Sequence, residues 1–196
     1  MIIYKHRVNT IEELVDTPRE LGVEIDIRSF GEKLILHHDA FIDAVTFSEW
    51  LLYFNHRSII LNVKEEGLEK RILEELGDAG ITDFFFLDQS FPFLLKGALA
   101  GERRSAARLS EYEAIETIRC LTGLVEWVWV DCFTKLPVDE RVVNELRNER
   151  GFKLCFVSPE LQGRTDLRLV SAYVEKLRSL GIKGDAVCTK LPHLWA

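Results

Sequence analysis

Charged side chains alternate with apolar ones in one short stretch of the chain, residues 23–28, which read Val-Glu-Ile-Asp-Ile-Arg. Successive side chains of an extended strand point to opposite faces, so Glu24, Asp26 and Arg28 would share one face of a strand whose other face is apolar. Inside a core, unpaired charges on such a strand would carry a large free-energy cost. We therefore expect these groups to pair with one another, to bind a cation, or to reach solvent where the strand ends.

A second stretch shows the same pattern and adds an amide and a basic group. In residues 58–64, alternation places Asn62 and Lys64 on one face. Two neighbouring extended segments end in histidines, His6 and His38. Imidazole titrates near neutral pH and therefore transfers protons readily. Two histidines around a pair of carboxylates predict an acid–base pair beside a metal ion, although periodicity alone fits a surface charge network equally well.

Strand-like stretches recur along the whole chain, in alternation with helix-like ones. Apart from an extended segment at 34–38, they cover residues 2–5, 23–28, 58–64, 83–87, 105–109, 126–131, 152–157 and 184–188. Such alternation is typical of β-α-β units with parallel strands. Eight strands favour a closed (β/α)8 TIM barrel, and an open doubly wound sheet is the alternative. Barrel enzymes place their catalytic groups at the carboxyl ends of the strands.

The length of the chain restricts what kind of barrel it can form. It has 196 residues, whereas a (β/α)8 barrel typically has about 250. The sequence therefore predicts a compact barrel with short loops and no inserted domain. No linker or low-complexity segment divides the chain, so we expect a single domain over residues 1–196. Capping boxes predict helix starts at Thr10 with Glu13 and at Thr46 with Glu49. The second of these helices is expected to extend to Asn55, and another helix is expected over residues 139–148.

Charge and cysteine usage limit the partners and the location that we expect. The formal net charge is −7, which argues against nucleic acid as a partner because phosphates are neutralised by excess Lys and Arg. The four cysteines form no C-x-x-C pair, which is typical of free thiols in a reducing compartment. With no leader-like start and no apolar stretch near 18 residues, we expect a cytoplasmic protein without a membrane span.

Several of these residues belong to short motifs that follow one another in a recognisable order. In chain order the motifs are His6-Arg7, Asn9-Thr10, Glu24-x-Asp26, His38-Asp39, Lys64, Gln89-Ser90-Phe91 and the closing segment 184–192. The series resembles that of the glycerophosphodiester phosphodiesterases, whose motifs run H-R, E-N-T, E-x-D, H-D and end in an acidic segment before a proline. The resemblance extends over nearly the whole chain.

The resemblance implies a phosphoric diester hydrolase that acts on a small phosphodiester, such as a glycerophosphodiester, with a divalent metal. Glu24 and Asp26 would ligate Mg²⁺ or Ca²⁺, which bind oxygen ligands. His6 and His38 would act as general base and general acid. Arg7 and Lys64, the remaining basic residues of the motifs, would contact the phosphate.

The sequence also departs from the family pattern at the expected metal site. Asn62 stands where the family usually has a third acidic ligand, and Lys190 stands in place of an aspartate. An amide oxygen coordinates Mg²⁺ or Ca²⁺ without contributing charge, so Asn62 would be a third but weaker ligand. Two other functions stay open: a non-catalytic barrel that binds a phosphorylated ligand, and a barrel lyase of the phosphatidylinositol-specific phospholipase type, which would release cyclic phosphates.

Overall fold

The computed structural model describes all residues, 1–196, and contains nine strands and seven α-helices. The strands are β1 (Ile2–Lys5), β2 (Gly22–Phe30), β3 (Lys33–Leu36), β4 (Ile59–Val63), β5 (Phe84–Leu87), β6 (Ala106–Leu109), β7 (Trp127–Val130), β8 (Lys153–Val157) and β9 (Ala186–Thr189). The helices are α1 (Ile11–Val15), α2 (Phe47–Leu51), α3 (Glu69–Asp78), α4 (Phe91–Leu99), α5 (Ile115–Cys120), α6 (Glu140–Asn144) and α7 (Leu167–Ser179). A π-helical turn, Glu145–Glu149, continues α6, and short 3₁₀ turns lie at Pro159–Gln162 and Pro192–Leu194.

Eight of the strands form a (β/α)8 TIM barrel, as predicted. Their order is β5-β4-β2-β1-β9-β8-β7-β6, and all of these neighbours are parallel. The two ends of this path meet through a bridge between Phe86 and Ser105, which closes the barrel and excludes the open sheet. The extended segment predicted at 34–38 is β3, which forms an antiparallel hairpin with β2 outside the ring of eight.

Alternation along the strands separates two apolar layers, one inside the barrel and one between the sheet and the helices. On β2, Ile25 and Ile27 pack with Trp50 of α2 in the outer layer. Inside the barrel, the rings of Phe85 and Trp127 stack with their centroids 4.4 Å apart. Because the apolar side chains of β2 face outward, Glu24 and Asp26 face inward.

Both predicted capping boxes are present, but two helices differ from the predicted lengths. Thr10 and Thr46 each accept a hydrogen bond from the backbone of the glutamate three residues on. The helix that begins after Thr46 ends at Leu51, and the ring of Phe54 stacks on that of Trp50 with the centroids 5.5 Å apart. The helix predicted over 139–148 changes to π geometry after residue 144.

Two further expectations concern the cysteines and the membrane. All four cysteines are free thiols; Cys120 is exposed, and the other three are buried. None of the helices has both the length and the apolar character that a membrane span requires.

Candidate active site at the mouth of the barrel

The carboxyl ends of the barrel strands surround a cleft of about 260 Å³. Every predicted site residue except Asp26 lines it: His6, Arg7, Glu24, His38, Asn62 and Lys64. Residues of other strands and loops complete the polar lining: Asp88, Arg108, Asp131, Gln162 and Lys190. Asp26 is fully buried and lies 3.1 Å from the ammonium group of Lys64, measured from Oδ1 to Nζ. The fold therefore brings the predicted residues together at the end where barrel enzymes place their chemistry.

The chain leaves β1 through a turn that directs two of these residues toward the carboxylates. The backbone N–H of His6 donates to Thr189 O at 3.0 Å, which ties this position to β9. Arg7 has φ of 56°, in the left-handed region that non-glycine residues seldom adopt. This conformation points the N–H of Arg7 at Glu24 Oε2, at 2.8 Å, and its Nε lies 3.6 Å from Asp26 Oδ2. Backbone strain of this kind is concentrated at functional sites.

Amide side chains hold the two inward carboxylates of β2. Asp26 is paired with Asn62 in the register of β2 and β4. Asn62 Nδ2 donates to Glu24 Oε1 at 2.9 Å. Asn9 bonds Asp26 twice: its Nδ2 donates to Asp26 Oδ2 at 2.9 Å, and its Oδ1 accepts the N–H of Asp26 at 2.8 Å. Both carboxylates are therefore fixed in one orientation by the chain's own donors.

Burial changes the protonation of two groups at the mouth. Burial, reinforced by the neighbouring Asp26 carboxylate, raises the pKa of Glu24 to about 7. Burial, together with the positive charges of Arg7 and Lys190, lowers the pKa of His6 to about 3. His6 is therefore a neutral imidazole at neutral pH, with Nε2 3.7 Å from Glu24 Oε2. A neutral imidazole can accept a proton.

The second histidine of the cleft is held by its neighbour in the chain. His38 Nδ1 lies 2.8 Å from Asp39 Oδ1, and the His38 side chain is 43% exposed. The adjacent His37 instead bonds the backbone of Asp39 and does not line the cleft. Arg28, expected on the interior face of β2, lies outside the lining, where its Nε donates to the carbonyl of His38 at 2.9 Å. Arg28 therefore supports the loop that carries His38.

The donor atoms of Glu24, Asp26 and Asn62 suit a hard divalent cation in kind, because all of them are oxygens. Asn62 Oδ1 is buried without a hydrogen bond, which leaves it available as a ligand, whereas Asp26 Oδ1 lies against the ammonium group of Lys64. The ammonium group of Lys64 competes for Asp26, and no group of three or more acidic, histidine or cysteine side chains is arranged as a metal site. The residues therefore fit a metal ion with few charged ligands and low expected affinity.

The opposite side of the cleft carries a charge network around Arg108, a residue that no sequence motif singled out. Arg108 of β6 forms ion pairs with Asp88, which follows β5, and with Asp131, which follows β7. Asp131 is fully buried and also accepts a hydrogen bond from Gln162 Nε2 at 2.7 Å. Arg108 lies two residues after Ala106, whose side chain is in the barrel interior. Alternation of inward and outward side chains, the pattern that identified Glu24 and Asp26, also predicts that Arg108 points inward like Ala106, one step nearer the mouth.

Comparison with solved structures finds several barrels of similar shape. A glycerophosphodiester phosphodiesterase from Agrobacterium tumefaciens aligns with a TM-score of 0.70 at 12% identity, over 99% of this chain and 98% of that chain. A glycerophosphoryl diester phosphodiesterase from Parabacteroides distasonis aligns with a TM-score of 0.69 at 14% identity, over 98% of this chain and 84% of that chain. The tryptophan synthase α-subunit from Pyrococcus furiosus aligns with a TM-score of 0.54 at 10% identity, over 98% and 88% of the two chains.

No protein-family model matches the chain, and no curated protein matches it in sequence. The structural neighbours therefore show the fold, a (β/α)8 barrel that proteins with different activities share. A shared fold does not determine activity, which depends on the residues of this chain's own cleft.

Proposed function

We propose that this protein hydrolyses a small phosphodiester, such as a glycerophosphodiester, in the cleft at the mouth of the barrel. The observation that carries the proposal is the meeting of His6, His38 and Lys64 with the carboxylates of Glu24 and Asp26 at one end of the barrel. The similarity in shape to two glycerophosphodiester phosphodiesterases supports the same class of substrate.

His6 acts as the general base and His38 as the general acid. Burial lowers the pKa of His6 to about 3, so its ring is neutral at pH 7 and has a free nitrogen lone pair, but it is a weak base in the empty cleft. The proposed role therefore requires the negative charge of the bound phosphate to raise this pKa, so that the ring can accept a proton from the attacking water. Asp39 orients the ring of His38 through Nδ1, which leaves Nε2 to donate a proton to the departing alcohol oxygen. The two roles therefore follow from the different surroundings of the two rings.

Basic groups on β1 and β4 hold the phosphate. The guanidinium of Arg7 and the ammonium of Lys64 both line the cleft, where they can bind phosphoryl oxygens and stabilise the negative charge that develops on them. Glu24, Asp26 and Asn62 would hold a Mg²⁺ or Ca²⁺ ion. Such an ion, when bound, polarises a phosphoryl oxygen as a Lewis acid.

One observation favours the second candidate function, binding of a phosphorylated ligand without catalysis. Lys64 already forms an ion pair with Asp26, and Lys190 adds another cation to the cleft lining. A cleft that supplies its own cations can bind phosphate without a metal ion. Asn62 also favours the non-catalytic function, because an uncharged third ligand weakens the binding of a metal ion.

The deciding experiment assays a panel of glycerophosphodiesters with Mg²⁺ or Ca²⁺, with and without chelator. The proteins are the wild type, His6→Ala, His38→Ala and, as a matched control, His37→Ala. We expect turnover that chelator abolishes and that each of the first two substitutions lowers by about 10²–10⁴-fold, the usual contribution of a general acid or base. His37→Ala should retain wild-type turnover, since His37 does not line the cleft.

Two results would count against the hydrolase. One is the absence of turnover on every substrate, and the other is turnover that survives both chelator and the His38 substitution. If inorganic phosphate binds without any turnover, the non-catalytic function is the correct one. Cyclic phosphate products would instead identify a lyase of the phosphatidylinositol-specific phospholipase type.

A further inference from the structure

The barrel has one weak seam, between β5 and β6. These strands are joined by a single bridge, Phe86 to Ser105, near the amino end of β6. By contrast, four residue pairs join β4 to β5, and four join β6 to β7. Beyond the bridge, toward the mouth, β5 and β6 are not paired. The wall of the barrel is therefore open on this side.

A pocket of about 430 Å³, which we call the seam pocket, lies at this opening. Half of its lining is apolar and comes from α4, β6 and the residue before α5: Phe91, Leu94, Ala106, Ala107 and Ala114. The alanines leave the space between α4 and α5 unfilled. Its volume is within the range of about 300–1,000 Å³ that is usual for small-molecule sites.

The seam pocket borders both apolar layers at the wall of the barrel. Ala106 belongs to the apolar cluster of the barrel interior, whereas Ala107 and Leu94 belong to the cluster between the sheet and the helices. A cavity lined by both kinds of residue connects the two layers. At its outer rim Phe91 is 52% exposed, so the seam pocket also has an apolar edge at the surface.

The seam pocket and the central cleft meet at one ion pair. Asp88 and Arg108 line both cavities. A ligand whose phosphate lies in the cleft can therefore extend a substituent past this pair and into the seam pocket.

The charges around the seam pocket restrict that substituent. Its charged lining consists of Arg108 and the carboxylates of Asp88 and Glu113. Arg108 is already engaged with Asp88 and Asp131, and its Nε lies 3.7 Å from Glu113 Oε1. No basic group remains to bind a second anion, and both carboxylates are already paired with Arg108, so neither is free to bind a cation. An uncharged, apolar substituent is the chemistry that this lining fits.

We propose that the seam pocket is a binding subsite for the apolar alkyl or aryl substituent of a phosphodiester. The inference rests on the proposed function only in that it takes the central cleft to hold the phosphate. It adds a substrate class, in which one of the two esterified alcohols is hydrophobic, and it assigns the recognition of that alcohol to the opening between β5 and β6.

The test measures binding rather than turnover, so that its result does not depend on catalysis. The probes are dimethyl phosphate, methyl butyl phosphate and methyl hexyl phosphate, and their dissociation constants are measured by calorimetry. We expect affinity to rise with chain length by up to about fourfold per methylene, which corresponds to about 0.8 kcal/mol for each buried CH₂.

Variants that fill the seam pocket supply the structural test. Thr117 and Ala114 line it and are exposed at the surface, so Thr117→Leu and Ala114→Leu should fold normally. Ala172→Leu, at an exposed position of α7, is the matched control. Both filling variants should lose the dependence on chain length and bind dimethyl phosphate as the wild type does. The control should keep that dependence.

Either of two results overturns the inference: no dependence on chain length in the wild type, or an equal dependence in the filling variants. The two proposals can also fail separately. If only the filling variants lose the dependence of affinity on chain length, but the wild type turns over no phosphodiester, the subsite is supported and the hydrolase is rejected. The failure of one proposal is thereby distinguished from the failure of the other.

Discussion

At the scale of single residues, the site is a set of buried charges that satisfy one another. Glu24 and Asp26 have almost no exposed surface, and each receives hydrogen bonds from a nearby asparagine. Lys64 supplies a positive charge that partly neutralises Asp26. Buried charge is tolerated only where such partners exist, so these few side chains depend strongly on one another.

Asn62 is the residue whose substitution tests the proposed metal site directly. We expect Asn62→Glu to raise the affinity for Mg²⁺ or Ca²⁺ by about tenfold or more, because the charge of the ligands sets the affinity of such sites. In chelator the same variant should have a lower Tm than the wild type, since a third buried carboxylate then has no cation. Calorimetric titration and thermal melts with and without metal measure the two effects.

Asn62→Gln is the matched control, because it has the length of glutamate without the charge. It should leave the metal affinity close to that of the wild type. Equal gains in the two variants, or no gain in either, would contradict a metal site formed by Glu24, Asp26 and residue 62.

At the scale of elements, short helices with defined ends hold the loops that carry the site. Helix α1 has five residues and begins at the capping box of Thr10. Asn9, immediately before this cap, is the residue that bonds Asp26 twice. The start of α1 therefore fixes one wall of the cleft.

We expect Thr10→Ala to destabilise the protein by about 1 kcal/mol, the usual effect of losing an N-cap side chain. The loss should be visible as a lower midpoint of urea unfolding at an unchanged slope. Thr10→Ser retains the hydroxyl oxygen that accepts the N–H of Glu13 and should unfold close to the wild-type midpoint. A similar loss in both variants would show that the cap hydrogen bond is not the cause.

The π-helical turn after α6 is held by a carboxylate between two guanidinium groups. Glu145 bonds Arg119 and Arg150, each with an N···O distance of 2.7 Å. These hydrogen bonds lower the pKa of Glu145 to about 2. Because the pKa is lower in the folded state than the usual value of about 4.5, this carboxylate stabilises the fold above pH 4.5, and the contribution disappears as the pH falls toward 2.

Glu145→Gln should therefore lower the Tm at pH 7, and the difference from the wild type should shrink steadily between pH 4.5 and 2. Thermal melts across this pH range measure it. Glu175→Gln, at an exposed position of α7 outside any ion pair, should follow the wild-type curve. A difference that stays constant with pH would exclude the ionised carboxylate as the origin.

At the scale of the whole molecule, large side chains fill the interior of the barrel at the end opposite the mouth. Tyr4 packs edge-on against Phe85, which stacks on Trp127. Gly22, at the start of β2, leaves the room that the ring of Tyr4 occupies: a Cβ at this position would lie 2.4 Å from that ring. Any side chain at this position would therefore displace the ring of Tyr4 from its packing in the interior.

Gly22→Ala should destabilise the protein by about 1–3 kcal/mol, the usual cost of overfilling a packed core. Gly97→Ala is the matched control, because Gly97 lies within α4 and a Cβ there meets no atom within 4 Å. That change should stabilise the fold by about 0.4–1 kcal/mol through a lower entropy of the unfolded chain. Equilibrium unfolding in urea tests both, and equal effects of the two substitutions would contradict the packing argument.

Much of the fold could be predicted from local patterns, because each pattern is set by residues close in the chain. Alternation over residues 23–28 correctly predicted a strand with Glu24 and Asp26 on the inner face. The capping boxes at Thr10 and Thr46 correctly predicted two helix starts, since a cap needs only the first turn of the helix. The number of alternating strands and helices predicted the (β/α)8 barrel. The catalytic roles of His6 and His38 remain predictions for the assays above.

Only the tertiary structure decided how strands that are distant in sequence are positioned relative to one another. The register of β2 and β4 sets Asn62 beside Asp26, and closure of the ring brings Arg108 between Asp88 and Asp131. No local pattern contains these distances, because they depend on how far each strand is shifted relative to its neighbours. The opening between β5 and β6 has the same origin. The sequence by itself determined that Glu24, Asp26, Asn62 and Lys64 point into the barrel, although the same alternation wrongly placed Arg28 there. The packing of the strands determined which of these side chains meet.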